Sequence, residues 1–329
     1  MTTSPEASPD AHRGQERVPD FFIVGHPKSG TTALYEMLRA HPQIHMPVKE
    51  PWFFSPELRS RSASRTPVGQ PDTLDEYLAL YEGAGPGQII GEASPSYLRS
   101  HTAAERIAEL QPDARIIAIL REPASFLRSF HLQCVQSHVE REKDLGKAIG
   151  LEGVRRQGKK IPRACARPEA LMYTEHVRYV EQLRRYFAVF PSEHVLVLIY
   201  EDFRRDNEAT VAAVLQFLGV DDTSPLEVTD ANATIRVRSQ RLDELVEAVS
   251  VGTGPVSRAV KAGVKAITPT RLRDAALQAT RRRVVYGEPR PPDEALMLEL
   301  RRRFKGEVVA LSEYLDRDLV TLWGYDDVL

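Results

Sequence analysis

Three consecutive features near the start of the chain restrict its fold more than anything else in it: the apolar run Phe21-Phe22-Ile23-Val24, the loop-forming Gly25-His26-Pro27-Lys28-Ser29-Gly30-Thr31-Thr32, and a helical pattern from Thr31 to Ala40. A buried strand that feeds a glycine-flanked loop and then a helix leaves backbone N–H groups and the positive end of the helix dipole converging on one point, which makes a cradle for an anion. Further β-like runs follow at 88–91, 115–120 and 195–200, and helical spacing at 102–110, 125–139 and 173–190. Their uninterrupted hydrophobicity suits strands buried on both faces. Strands alternating with helices predict right-handed crossovers, and so an α/β fold: a doubly wound parallel sheet flanked by helices.

The 329 residues suffice for one large α/β domain enclosing a cleft. The reading divides them into a flexible polar tail (1–19), an α/β core (20–253) and a helical extension packed on the core (254–329). Inside the core, 55–71 and the highly charged 140–168 read as mobile surface insertions. The stretch 254–303 holds twelve Lys and Arg against five Asp and Glu; it is either a solvated helical face or a surface for an acceptor or partner. A net charge of −2 argues against a nucleic-acid partner. Cys134 and Cys165 have neither metal-ligand nor redox spacing, and no apolar run reaches the roughly 20 residues of a membrane span. A cytoplasmic location without a transmembrane segment is the resulting expectation; oligomeric state leaves no signature.

The loop differs from that of nucleoside-triphosphate enzymes, G-x-x-x-x-G-K-[ST]. Gly25 and Gly30 keep the spacing, but Thr31 takes the lysine position and Lys28 lies within the loop. A lysine there can neutralise charge developing on a leaving phosphate. No metal is expected, because a sulfuryl group carries less charge than a terminal phosphoryl group and no acidic strand end stands ready to hold magnesium. Pro27-Lys28-Ser29-Gly30-Thr31-Thr32 resembles the 5′-phosphosulfate loop of the sulfotransferase superfamily. The resemblance implies a P-loop-type fold, 3′-phosphoadenosine 5′-phosphosulfate as donor and 3′-phosphoadenosine 5′-phosphate as product. It places Lys28 at the bridging oxygen, and Ser29, Gly30, Thr31 and Thr32 around the 5′-phosphate. Ala33 replaces the tryptophan that stacks on adenine in many cytosolic members, so adenine must pack elsewhere.

A second anion site is expected where Arg121 ends the run 115–120, with Pro123 opening the next helix and Ser129 two turns beyond Arg121. The segment 120–129 is similar to the family's 3′-phosphate motif, an arginine followed eight positions later by a serine. Tyr200-Glu201-Asp202 resembles the family's Tyr-Glu-Asp segment, which implies Tyr200 near the adenine; a strand-end tyrosine completing the core is the alternative.

Transfer to a hydroxyl needs a group to take the acceptor proton. Glu50, Glu92, His101 and His131 are the candidates. Lys49-Glu50-Pro51-Trp52-Phe53-Phe54 resembles the Lys-Glu-x-x-Phe-Phe segment of carbohydrate-type sulfotransferases such as the heparan sulfate enzymes, which implies Glu50 as catalytic base. Three neighbouring rings would desolvate this carboxylate, with Lys49 opposing. Gly91-Glu92-Ala93-Ser94-Pro95-Ser96-Tyr97-Leu98 is similar to the acceptor-side segment of carbohydrate-type and bacterial members; Glu92 is either an aid to catalysis or a buried structural acid. The acceptor is expected to be a hydroxyl of a glycan, lipid or secondary metabolite. A metal-dependent phosphotransferase using ATP and a nucleotide-binding protein without turnover are the competing readings.

Overall fold

The structure, a computed structural model, describes residues 17–59, 70–220, 236–237, 286–287 and 291–328. Most of the N-terminal tail, the middle of the 55–71 stretch and the basic stretch up to 290 lie outside the described residues. The described residues form two compact units. The first comprises those within 17–122, 178–220 and 306–323; the second, those within 123–177, 232–305 and 324–328.

The first unit is built on five parallel strands in the order β2-β3-β1-β4-β5: β1 (Phe21–Gly25), β2 (Ile44–His45), β3 (Ile89–Ala93), β4 (Arg115–Leu120) and β5 (Val195–Ile199). Four of them are the predicted apolar runs; β2, with two residues, is too short to show a periodicity. β3 and β4, consecutive in the sheet's connectivity, flank β1 on opposite sides, the arrangement that opens a crevice at the carboxyl ends of strands. Residues 21–24 of β1 are at most 1% exposed.

Strand alternation assigns the faces. Phe21 and Ile23 join Ile117 and Ile119 in a cluster with Leu34 and Leu38 of α1 (Thr31–Ala40) and Val214 of α9 (Asn207–Leu218). Phe21 pairs with Gly91, where a Cβ would come within 2.2 Å of the ring, so only glycine lets the ring lie across β3. Phe22 pairs with Glu92 on the other face and meets Phe54 edge-on at 5.6 Å. Also in this unit are α2 (Leu74–Ala79), α3 (Ala103–Leu110), α7 (Tyr179–Phe187) and α8 (Tyr200–Arg205).

In the second unit α4 runs Pro123–Gln136, starting two residues before the predicted span because proline fits the first helical turn. The predicted helix 173–190 is broken instead into a 3₁₀ segment, Tyr173–Val177, and α7. Arg178, at φ −81° and ψ 62°, interrupts it where the chain passes from one unit to the other.

The expectation of a mobile insertion at 140–168 is overturned. That segment forms α5 (Leu145–Gly150) and α6 (Glu152–Arg156) around a buried ion pair, Glu140 with Arg155 at 2.8 Å. Glu140 also accepts from the hydroxyl of Tyr173 at 3.0 Å and from the N–H groups of Arg141 and Glu142. Burial pushes its carboxyl up, but Arg155 and these N–H groups outweigh burial and hold it below its ordinary value. Three of its charges, Glu140, Glu152 and Arg155, are therefore buried, while most of the others stay exposed. The remaining α-helices among the described residues are α10 (Glu294–Tyr314) and α11 (Leu319–Trp323), and the short strands β6 (Arg236–Val237) and β7 (Tyr286–Gly287) pair antiparallel. Among the described residues no helix is long and apolar enough to cross a membrane.

Candidate active site

The loop predicted from 25–32 leaves the carboxyl end of β1. The β1–β4 register shifts between Ile23 and Gly25, which brings Gly25 against Leu98; a Cβ on Gly25 would lie 2.5 Å from that of Leu98. Gly30 has φ 88°, and a Cβ there would lie 2.9 Å from the Phe203 ring. Both positions need glycine, one for space and one for conformation and space together. Helix α1 starts at once, and its N-terminus has no side-chain cap. The N–H groups of its first turn are thus left without a side-chain cap, an arrangement that suits an anion. The Ser29 hydroxyl is buried without a hydrogen-bond partner. Such a group needs a compensating partner, and a phosphate oxygen would supply one. Lys28 is itself left-handed, φ 64°.

Arg121, directly after β4, braces this loop. Its Nη1 donates to the Lys28 carbonyl at 2.9 Å, its guanidinium lies 4.6 Å above the Tyr200 ring, and its own carbonyl accepts from the Tyr179 hydroxyl at 2.9 Å. Tyr179 in turn meets the buried His26 ring edge-on at 5.6 Å. The Arg121 Nε is buried with no hydrogen-bond partner. Tyr200, which the resemblance puts near the adenine, thus also lies beneath Arg121. Glu201, next in the chain, accepts from the Trp323 indole at 2.8 Å, and burial pushes its carboxyl up. Ser129 belongs to the second unit, on α4, where its hydroxyl is buried without a partner. His131 of the same helix has its Nε2 2.8 Å from the Glu142 carbonyl, and burial pushes its imidazole down. His101 is exposed in the first unit.

Glu50 rides on a loop attached to the end of β3, the strand beside β1. Lys49 bridges to Ala93, and the Glu50 N–H donates to the Ala93 carbonyl at 2.8 Å. Its carboxylate is 43% exposed and accepts from Lys49 Nζ at 2.8 Å. The desolvation expected from the neighbouring rings is absent, because Trp52 and Phe54 turn into the core and Phe53 stacks on Tyr77, with centroids 4.5 Å apart. Glu50 (φ 63°) and Trp52 (φ 59°) are both left-handed, a conformation costing non-glycine residues roughly 1–3 kcal/mol each.

The desolvated carboxyl is Glu92. It is fully buried, accepts from the Tyr77 hydroxyl at 2.5 Å and the Ser94 hydroxyl at 2.7 Å, and lies beside the Tyr97 hydroxyl; burial pushes it up to about 7. The same Ser94 oxygen accepts from the Trp52 N–H at 3.4 Å, and the Tyr97 oxygen from the Phe54 N–H at 3.2 Å. Ser94 and Tyr97 follow Glu92 at two and five residues, a local signal present in the sequence. Tyr77 arrives from α2, with none. Among the described residues no group of His, Cys, Asp or Glu could hold a metal ion.

Residues 19–224 match the family described as Sulfotransferase family. The chain is 30% identical over 216 residues to Heparan sulfate glucosamine 3-O-sulfotransferase 6 of Mus musculus, covering 63% of this chain and 54% of that protein. It is 28% identical over 253 residues to Carbohydrate sulfotransferase 15 of Mus musculus, covering 62% and 44%. The chain thus spans about half the length of the curated relatives it matches. Among solved structures, that of a sulfotransferase from Alicyclobacillus acidocaldarius is similar with a TM-score of 0.57 at 26% identity, covering 76% of this chain and 98% of that one. A parallel sheet of this order, a phosphate loop carrying its lysine internally and a match over most of the α/β core agree, and the chain belongs to the Sulfotransferase family.

Proposed function

We propose that this protein is a sulfotransferase moving a sulfuryl group from 3′-phosphoadenosine 5′-phosphosulfate to an acceptor hydroxyl by in-line transfer. The observation that carries the reading is the uncapped start of α1 behind a loop that contains Lys28 and the partnerless buried hydroxyl of Ser29. The donor supplies the sulfuryl group and departs as 3′-phosphoadenosine 5′-phosphate. Ser29, Gly30, Thr31 and Thr32 hold the 5′-phosphate through the loop and first helical turn, and Lys28 offsets charge on the bridging oxygen. Arg121 and Ser129 are assigned to the 3′-phosphate by their spacing in the sequence, and Tyr200 supports Arg121. Glu50 takes the acceptor proton. Its exposure, with Lys49 beside it, suits a base that meets an incoming hydroxyl from solvent. The names of the relatives favour a carbohydrate hydroxyl, with a lipid or secondary metabolite as the other acceptor classes. Cysteine usage, only Cys134 and Cys165 and without metal-ligand or redox spacing, supports a cytoplasmic location.

Transfer of radiolabelled sulfate to a panel of oligosaccharides, lipids and small hydroxyl compounds tests this. Lys28→Ala and Glu50→Ala should each lower kcat by roughly 10²-fold or more, and EDTA should leave the rate unchanged. Full turnover in Glu50→Ala would move the base elsewhere; transfer from ATP abolished by EDTA would replace the reading.

A further inference from the structure

Glu92 has no part in the chemistry above, yet it lies at the centre of the side chains that meet the Glu50 loop beyond its backbone attachment to Ala93. Its hydrogen-bond partners Ser94 and Tyr77, and the neighbouring Tyr97, each have a second task on that loop. Ser94 accepts the N–H of Trp52, Tyr97 accepts the N–H of Phe54, and the Tyr77 ring carries the stacked ring of Phe53. We infer that Glu92 is a positioning residue for the reaction: by orienting Ser94, Tyr97 and Tyr77 it holds the loop that carries Glu50 in its left-handed conformation at the end of β3. The inference rests on the proposed reading of Glu50 as the base.

An ionised carboxylate only accepts hydrogen bonds. When Glu92 is ionised, the hydroxyl protons of Ser94 and the neighbouring Tyr97 therefore turn towards it, which aims their lone pairs at the two N–H groups of the loop. The loop needs such support, because two non-glycine residues at positive φ persist only where their surroundings impose it. No ion pair to Glu92 occurs among the described residues, so it does not serve as half of a salt bridge there. Glutamine at this position keeps the shape but presents an N–H₂ group to one of the hydroxyls, which must turn away from the loop.

The test combines amide hydrogen exchange with kinetics on Glu92→Gln, Ser94→Ala and Tyr97→Phe. Exchange at Trp52 in Glu92→Gln and Ser94→Ala, and at Phe54 in Glu92→Gln, should quicken roughly tenfold or more, with amides of β1 and β4 unchanged. Turnover should fall roughly 10- to 100-fold with donor KM unaltered, and affinity for 3′-phosphoadenosine 5′-phosphate should stay within about threefold. Tyr97→Phe should loosen Phe54 while leaving the carboxylate in place. Unchanged exchange at both loop amides, or equally faster exchange throughout the sheet, overturns the inference. If Glu50→Gln keeps wild-type turnover while Glu92→Gln still loosens the loop, the loop-holding role stands and the base lies elsewhere. If Glu50→Gln is inactive and Glu92→Gln fully active, the base stands and the positioning role falls.

Discussion

Replacing Glu92 by glutamine should change how stability depends on pH, by an amount that follows from burial. The carboxyl has an ordinary value of 4.5 and is pushed up to about 7 in the folded chain. The folded state therefore holds a proton that the unfolded state has already released between those values. Linkage then fixes the sign: stability from this group is greatest below about pH 4.5, falls as pH rises and levels off above about 7. At about 1.4 kcal/mol per pH unit of difference, the fall between pH 5 and pH 8 amounts to about 2–3 kcal/mol. The titratable groups that face Glu92 do not contribute in this window, because burial raises Tyr77, Tyr81, Tyr97 and Tyr186 well above the ordinary tyrosine value. Glutamine does not titrate, so subtracting the two stability curves isolates the group from His131, Glu140 and Glu201. Urea unfolding of both proteins at intervals from pH 5 to pH 8 provides the assay. The wild type should lose about 2–3 kcal/mol relative to the variant across that range. Curves that run parallel would refute the reasoning, since they would mean that Glu92 ionises as easily when folded as when unfolded.

Two further perturbations probe the proposed donor site and the second unit. Tyr200→Phe keeps a ring beneath Arg121 and should bind 3′-phosphoadenosine 5′-phosphate within about threefold of wild type by calorimetry, whereas Tyr200→Ala should weaken binding by about 0.5–2 kcal/mol; equal losses would show that the hydroxyl matters rather than the ring. Arg155→Ala leaves Glu140 buried without its cation and should cost about 3–5 kcal/mol of stability, measured by urea unfolding, while an apolar replacement of both partners should recover much of that loss.

Much of this protein is legible one element at a time. The strands at 115–120 and around 21–24 and the helix at 31–40 coincide with their predicted spans because each follows from short-range chemistry: an apolar run buried on both faces, and a helix begun by a glycine turn. The loop between them is legible for the same reason, since Gly25 and Gly30 are required by close approach and positive φ at positions that are near neighbours in the chain. The charged stretch 140–168 shows the opposite. Composition alone marks it as solvated surface, because nothing local reveals that Glu140 meets Arg155 and Tyr173, fifteen and thirty-three residues on.

The environment of a carboxylate is likewise not a local property. Glu50 precedes three aromatic residues in sequence but faces solvent, because left-handed backbone at Glu50 and Trp52 turns the rings of Trp52 and Phe54 the other way. Glu92 has no aromatic neighbour closer in sequence than Tyr97, yet α2 and the turn after β3 bring Tyr77 and Tyr97 against it. The sequence by itself determined the strand-loop-helix order, the lysine within the loop and the arginine at the end of β4, since these depend on residues adjacent in the chain. Only the tertiary structure decided which acid is in water and which is buried, because burial depends on which distant segments the parallel sheet brings together.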